Sequence, residues 1–538
     1  MTPVRKQSDR HGALTSRLAW SAGLAALAFA ASAQGAAAQG PAAQGAAAQD
    51  ARCSALAEAG RFPNATVSSA KLAPADAAAR TPPYCEVTAV LSPVPGSRIG
   101  VVYRLPMDWN GKIVGYGGGG WAGNVRLETA AGEIARGYAT MQTDGGHPSA
   151  NAGDASWTAP GGKPNVVALN DYAWRAVHTM TDTGKQVVAA YYGRPQIKAY
   201  FQGCSSGGRM ALMEAQRFPG DYDGIVSGAP VYSLRTQLGE IYRDWIFAQP
   251  GAAITPAQIG LVHKAVLAAC DDVDGVKDGI VGDPKACKFD PGALQCKAGQ
   301  SGDQCLTAPQ VTAFRRQYSE VRGPDSVYIS PYSKGSEPGW LFAVNITADP
   351  VKAARVRDLD LRTIMFGDPN FSFASFDAMR DSPKARAGAF AKYYEADNPD
   401  LKPFLSKGGK LILWHGLDDQ LPSPWATVDY YQRVEKATGE ALTHADTRFF
   451  LAPGVMHCGG GPGANTFDFI QAIDAWVSGG PAPERIVGEH VARPPAGAPP
   501  SASAPPAAPM TRPICAYPAL PRYGGSGDPN DEKSFVCR

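Results

Sequence analysis

Short apolar runs alternate with stretches of helical spacing in two separate regions of the chain. Lys112 to Tyr116, Tyr138 to Thr143 and Ile197 to Phe201 read as strands in the first region. Lys410 to Trp414 and Arg448 to Leu451 read as strands in the second. Asp171 to Tyr192 sets Trp174, Val177, Val187 and Val188 at helical intervals. Met210 to Phe218 permits a helix that stops at Pro219-Gly220, and Thr466 to Val477 is a last helix. Alternating strands and helices predict an α/β chain: a mostly parallel sheet with helices on both faces.

Gly203-Cys204-Ser205-Ser206-Gly207 joins one of these strands to the helix after it. Small residues at the first and last positions allow a cramped backbone, and a serine in the middle then presents Oγ at the helix N-terminus. A bare Gly-x-Ser-x-Gly arises by chance in a chain with 60 glycines; the strand before it and the helix after it make it specific. Further along, His415-Gly416-Leu417-Asp418-Asp419 follows a strand, and Gly454-Val455-Met456-His457-Cys458 follows the next. The order serine, acid, histidine is that of an α/β-hydrolase. Ser205 is the expected nucleophile, His457 the base and Asp419 the orienting acid, chosen over Asp418 by the His-Gly-x-x-Asp spacing. His147 and His178 are expected to be structural, because His457 already fills the one histidine role. If Ser205 and His457 are hydrogen-bonded, their neighbours Cys204 and Cys458 lie within disulfide reach.

The loop Gly117-Gly118-Gly119-Gly120-Trp121 follows an early strand, where backbone N–H groups can approach a developing oxyanion. Gly119 or Gly120, with the N–H of Ser206, is the expected donor pair. No Gly-Lys-Ser/Thr follows, which excludes a phosphate loop. Cys270-Asp271-Asp272-Val273-Asp274-Gly275-Val276-Lys277-Asp278-Gly279-Ile280 carries carboxylates between glycines, a hard-oxygen pattern that suits Ca²⁺ without the register of an EF-hand. Asp271, Asp274 and Asp278 are the expected ligands, in a structural role.

The N-terminus changes the picture of compartment. Arg5, Lys6, Arg10 and Arg17 precede an apolar stretch from Leu18 to Ala30 and small residues to Ala33, the pattern of a secretory leader cleaved after Ala33 or Ala38. Ten cysteines, an even number, fit a secreted or periplasmic destination. Local staples predict Cys53–Cys85, Cys270–Cys287, Cys296–Cys305 and Cys515–Cys537 beside Cys204–Cys458. With 51 basic and 49 acidic residues and no charge run, the chain has no footprint for nucleic acid or a membrane surface.

Ser205 and Asp419 stand some two hundred residues apart, several times what a bare hydrolase core needs. The expected organisation is therefore a leader over 1–33, a low-complexity tether without structure over 34–50, and a first core part over 51–230. A lid with the calcium loop follows over 231–403, then a second core part over 404–492. A Pro/Ala-rich linker and a disulfide-closed C-terminal segment complete the chain over 493–538.

On the serine turn, His415 to Asp419 and Gly454 to Cys458, the chain resembles the tannase and feruloyl esterase family. The cysteines beside serine and histidine are specific to that family among α/β-hydrolases. The resemblance runs from about Cys53 to Cys537 and includes the acidic loop, Gly335 to Trp340, Phe366 to Phe371 and the C-terminal segment. It implies a lid over the active site, carbonyl ligands to calcium at Val276 and Ile280, and a monomeric enzyme acting on small esters of aromatic acids such as feruloyl or galloyl esters. Within the family a hydrolase of terephthalate monoesters is the second reading; it requires a lid cation, for which Arg355, Arg357, Arg362 and Arg380 are the candidates. A non-catalytic binding protein or a serine peptidase are rivals from other classes, and an intact Ser205, Asp419 and His457 argue against the first.

Overall fold

The computed structural model describes residues 41–323, 328–344, 346–347, 359–372, 375–492 and 509–538. The expected leader, the first part of the tether, Arg355, Arg357 and the Pro/Ala-rich linker lie outside the described residues. Where it is described, the tether departs from expectation: Pro41–Ser54 is helical, as its alanines, the strongest helix formers, favour. Residues Ala48–Arg538 form one compact unit.

Its frame is a 12-stranded sheet. In chain order the strands up to the serine turn are β1 (Ala65–Ala73), β2 (Tyr84–Leu91), β3 (Ile99–Pro106), β4 (Lys112–Tyr116), β5 (Ala139–Thr143) and β6 (Lys198–Cys204). Strand β7 (Gly224–Gly228) follows, then a small separate hairpin of β8 (Val321–Arg322) and β9 (Tyr328–Ile329). The main sheet resumes with β10 (Lys410–Gly416), β11 (Thr447–Ala452), β12 (Thr466–Phe467), β13 (Arg485–Glu489) and β14 (Thr511–Ala516). A second small hairpin, β15 (Pro521–Tyr523) with β16 (Phe535–Cys537), closes the chain. The sheet order is β1-β2-β3-β5-β4-β6-β7-β10-β11-β14-β13-β12.

Only the middle of this sheet is parallel. From β5 to β11 every neighbouring pair runs in the same direction, and both flanks are antiparallel. The middle strands are buried on both faces, which is why they read as unbroken apolar runs. Successive side chains divide between two cores, as the pleat dictates. Ile113, Phe201, Ile225, Leu411 and Phe449 enter one core; Val114, Tyr200, Val226, Ile412 and Phe450 enter the other. The C-terminal segment does more than close on itself: β14 inserts between β11 and β13, and Cys515–Cys537 ties that strand to β16.

Between β7 and β10 the described chain adds no strand to the main sheet. Helices Pro256–Cys270 and Ala308–Gln317 both begin with capping boxes, Thr255/Gln258 and Thr307/Gln310. This segment has a core of its own around Phe247, Val262, Phe314 and Trp340. Its Tyr232, Phe371, Phe390 and Tyr394 join the main core instead, so the insertion is packed onto the sheet domain.

Candidate active site

Strand β6 ends at Cys204 and a helix begins at Ser206, leaving Ser205 at φ 62° and ψ −123°. A side chain at positive φ is strained, and the surroundings hold it there. Ser205 N–H donates to Gly228 O (3.0 Å), and its carbonyl accepts from the N–H of Arg209 and Val231. Gly203 and Gly207 are both required: a Cβ at Gly203 would lie 2.4 Å from the Gly207 carbonyl carbon, and one at Gly207 would lie 2.7 Å from Gly118 O. The glycine loop after β4 therefore rests directly on the serine turn.

Within that loop the glycines differ. Gly117 and Gly118 touch Gly207, whereas a Cβ at Gly119 would meet open space. Gly120 has φ 56°, packs on Ala152 and accepts the Tyr172 hydroxyl at its carbonyl. Among the described residues no hydrogen bond engages the N–H of Gly118, Gly119 or Gly120. Gly118, not singled out from sequence, has a free N–H among the described residues and sets its carbonyl oxygen against Gly207.

At the ends of β10 and β11 the acid and the histidine meet. Asp419 Oδ2 lies 2.8 Å from His457 Nδ1 and 3.1 Å from His415 Nε2, and Leu421 N–H donates to Oδ1 at 2.8 Å. Burial alone would raise the Asp419 carboxyl, but the His457 and His415 imidazoles outweigh it and hold it down at about 2. Asp418 faces elsewhere. Burial first, and Glu337 second, push its carboxyl up to about 7. His415 carries a role the sequence did not reveal: its Nε2 also faces Pro422 O (3.2 Å) and its Nδ1 faces Thr427 Oγ1 (2.8 Å), so it supports Asp419 from behind. Gln420 was missed as well; its Oε1 accepts the His457 N–H at 3.1 Å.

The two halves are joined covalently. Cys204 and Cys458 form a disulfide with a Cα–Cα distance of 5.9 Å, so Ser205 and His457 are held at the same end of the sheet. The other four expected bridges, Cys53–Cys85, Cys270–Cys287, Cys296–Cys305 and Cys515–Cys537, are also present.

An aromatic wall stands beside the serine turn. Ser206 Oγ lies 3.5 Å from the Tyr394 hydroxyl, and Tyr394 stacks on Trp121 and Tyr172 with centroids 5.2 and 5.8 Å apart. Arg209, fully buried, sits 4.0 Å over the Tyr394 ring and donates to the carbonyls of Tyr172 and Ala173. His147 bonds Trp121 O (2.7 Å) and stacks on Trp157, while His178 bonds Asp221 and stacks on Phe218; both sit in structural contacts. Trp340 is buried in the insertion's own core, and Phe366 stacks on Phe371 at 3.8 Å. Of the described arginine candidates, Arg380 is paired with Asp381 at 2.7 Å.

In the acidic loop, Asp271 Oδ1 accepts the N–H groups of Asp278, Gly279 and Ile280. Val276 N–H donates to Asp274, and Arg512 from β14 donates to Asp278 Oδ2 at 2.8 Å. Asp274 is 4% exposed; burial and then the Asp278 charge push its carboxyl up to about 6. No three carboxylate, imidazole or thiolate groups converge on a point among the described residues. The donor chemistry, one buried and two half-buried carboxylates in a single loop, is of the hard-oxygen kind that suits a divalent cation.

Comparison with known proteins places this geometry in a family. The family model described as tannase and feruloyl esterase matches residues 85–538. The chain is 34% identical to mono(2-hydroxyethyl) terephthalate hydrolase of Piscinibacter sakaiensis, over 86% of each chain. It is 32% identical to a probable feruloyl esterase of Arthroderma benhamiae, over 82% of each. The crystal structure of feruloyl esterase B from Aspergillus oryzae superposes with a TM-score of 0.77 at 27% identity, covering 91% of this chain and 100% of that one. The chain belongs to the tannase and feruloyl esterase family and is a carboxylic ester hydrolase.

Proposed function

We propose that the protein hydrolyses esters of aromatic acids through an acyl-enzyme on Ser205. The observation that carries this is the Asp419–His457 pair, tethered by Cys204–Cys458 to a serine at φ 62° on a strand-to-helix turn. Asp419, held ionised, keeps the proton on His457 Nδ1 and so leaves Nε2 free to take the Ser205 proton. Ser205 Oγ then attacks the ester carbonyl. The N–H groups of Ser206 and of the glycine loop, at Gly118, Gly119 or Gly120, receive the tetrahedral oxyanion. His457 returns the proton to the leaving alcohol, and water releases the acid by the same steps in reverse.

Trp121, half-buried and stacked on Tyr394 near the serine turn, supports an aromatic acyl group, since a partly exposed ring favours a flat, polarizable partner. Tyr394 comes from the segment 231–403, which in this reading acts as the lid. A panel of methyl ferulate, methyl gallate, methyl 4-hydroxybenzoate and mono(2-hydroxyethyl) terephthalate tests it, with kcat/KM for at least one aromatic ester expected to exceed that for methyl acetate at least a hundredfold. Equal rates on the aliphatic ester would overturn the aromatic reading. The terephthalate monoester arm tests the second reading, motivated by the 34% identical relative.

Asp271, Asp274 and Asp278, with the carbonyls of Val276 and Ile280, would in this proposal hold a calcium ion, which would stabilise the loop without entering the chemistry. Secretion or passage to the periplasm is proposed from the basic and apolar N-terminus and supported by five disulfides, which persist in oxidising compartments. The enzyme is proposed to act as a monomer.

A further inference from the structure

A cavity of about 320 Å³ lies between the helix Pro424–Thr438 and the segments around Lys285 and Tyr332, and its Tyr332 is bonded to Leu421, two residues beyond Asp419. Its volume is at the small end of the range for small-molecule sites. Three cations in its wall are seated over aromatic rings: Lys285 over Trp425 at 4.6 Å, Arg322 over Tyr328 at 4.4 Å and Lys334 over Tyr318 at 5.9 Å.

The charge of this wall is unbalanced. Its acids are Glu320, bound to Arg322 at 2.9 Å, and Asp429, bound to Arg235 and Arg433 at 3.0 Å each. No carboxylate among the described residues pairs with Lys285 or Lys334. Lys334 Nζ donates to the neutral carbonyl of Cys287 at 2.8 Å, and burial together with Lys288 holds its ammonium below the usual lysine value. The carboxylates that act on Lys334, Asp290 and Glu337, are already bound to Arg315 and His263. A second observation is independent of charge: Ser333 lines the cavity, is 2% exposed, and its Oγ has no hydrogen-bond partner. A buried hydroxyl without a partner costs free energy, which a turn of the Ser333 side chain toward an acceptor in the cavity would recover.

We propose that this cavity is a second binding site, for a small aromatic carboxylate, and that its occupancy is felt at Asp419. The carboxylate lies between Lys285 and Lys334 and accepts the Ser333 hydroxyl, and the ring fills the space against Tyr328 and Tyr332. The link to the active site is two hydrogen bonds long. Tyr332 Oη donates to Leu421 O at 2.7 Å, and the N–H of Leu421 donates to Asp419 Oδ1 at 2.8 Å. Ser423 Oγ, bonded to Pro331 O, anchors the same loop from the same wall. The choice of a phenolic acid as ligand rests on the esterase reading, for such an acid is the product released at Ser205.

The test is calorimetric titration of the full-length protein with 4-hydroxybenzoate, after sulfonylation of the reactive serine with phenylmethylsulfonyl fluoride and confirmation of the adduct by mass. One site is expected to persist in the blocked protein and to weaken at least tenfold in the Lys285→Gln/Lys334→Gln variant, with neither acetate nor benzyl alcohol competing. No binding to the blocked protein, equal binding by the variant, or equal competition by acetate would overturn the site. Failure to form the adduct counts against the serine reading alone; the same titration on untreated protein then counts whether the double variant has lost one site. For the link, 4-hydroxybenzoate is expected to lower kcat on p-nitrophenyl acetate in the wild type, and to raise only KM in Tyr332→Phe. An unchanged kcat in the wild type would overturn the coupling.

Discussion

Cys204 and Cys458 are bonded to each other across a sequence separation of 254, and each is the immediate neighbour of a residue proposed for the reaction, Ser205 and His457. The bridge therefore sets the relation between the serine turn and the His457 loop as well as adding stability. A disulfide is worth about 2–4 kcal/mol when it constrains the unfolded chain. The Cys204→Ala/Cys458→Ala variant is expected to melt lower and, at a temperature where it is folded, to lose at least tenfold in kcat on p-nitrophenyl acetate. A variant that melts lower but turns over at the wild-type rate would reduce the bridge to a staple.

Ser205→Ala is expected to abolish turnover while the circular dichroism spectrum stays native, because only an oxygen is removed. Turnover above a few per cent of wild type would move the nucleophile elsewhere.

The neighbours Asp418 and Asp419 should behave oppositely. Asp419→Asn removes the acceptor that fixes the His457 tautomer and is expected to cost about 10⁴ in kcat, as in the serine-protease triad. Asp418→Asn replaces a carboxyl that burial raises to about 7 and that does not face His457, and should leave kcat within about threefold of wild type. Reversed magnitudes would exchange the two roles.

The same pair yields a pH signature. Asp418 is raised to about 7 in the folded protein, so its contribution is fully present below the unfolded value of about 4 and is lost as pH rises through 7. Asp419 is depressed to about 2, so its contribution is present above about 4 and lost as pH falls toward 2. Melting temperatures between pH 5 and 9 should fall more steeply for the wild type than for Asp418→Asn. Parallel curves would mean that Asp418 titrates normally.

Removal of calcium with a chelator is expected to lower the melting temperature without stopping turnover at low temperature, since Asp271, Asp274 and Asp278 are bonded within their own loop and to Arg512 and not to Asp419 or His457. A ligand of the folded state stabilises by about 2.7 kcal/mol at a hundredfold excess over its Kd. Asp274→Ala should lower the melting temperature similarly and make the chelator redundant. An unchanged melting temperature, with no calcium found by metal analysis, would leave the loop as an acidic turn held by Arg512.

What was legible in the sequence is what short stretches of backbone decide. Gly203 and Gly207 mark the serine turn because no Cβ fits there, and the sheet's middle strands announce themselves as apolar runs because both faces are covered. Cysteine pairing was legible for a related reason: four bridges join cysteines next to one another in sequence, and the fifth follows from the residues it adjoins. The tertiary structure decided whatever depends on distant partners. The antiparallel flanks and the insertion of β14 beside β11 depend on chain paths that no local pattern encodes. The support of Asp419 by His415, the contact of Gly118 with Gly207 and the approach of Arg512 to Asp278 likewise join residues whose proximity exists only after folding. Adjacent aspartates have nearly the same sequence surroundings, and it is the direction each side chain takes into the packed interior that makes one carboxyl more acidic than usual and raises the other to about 7.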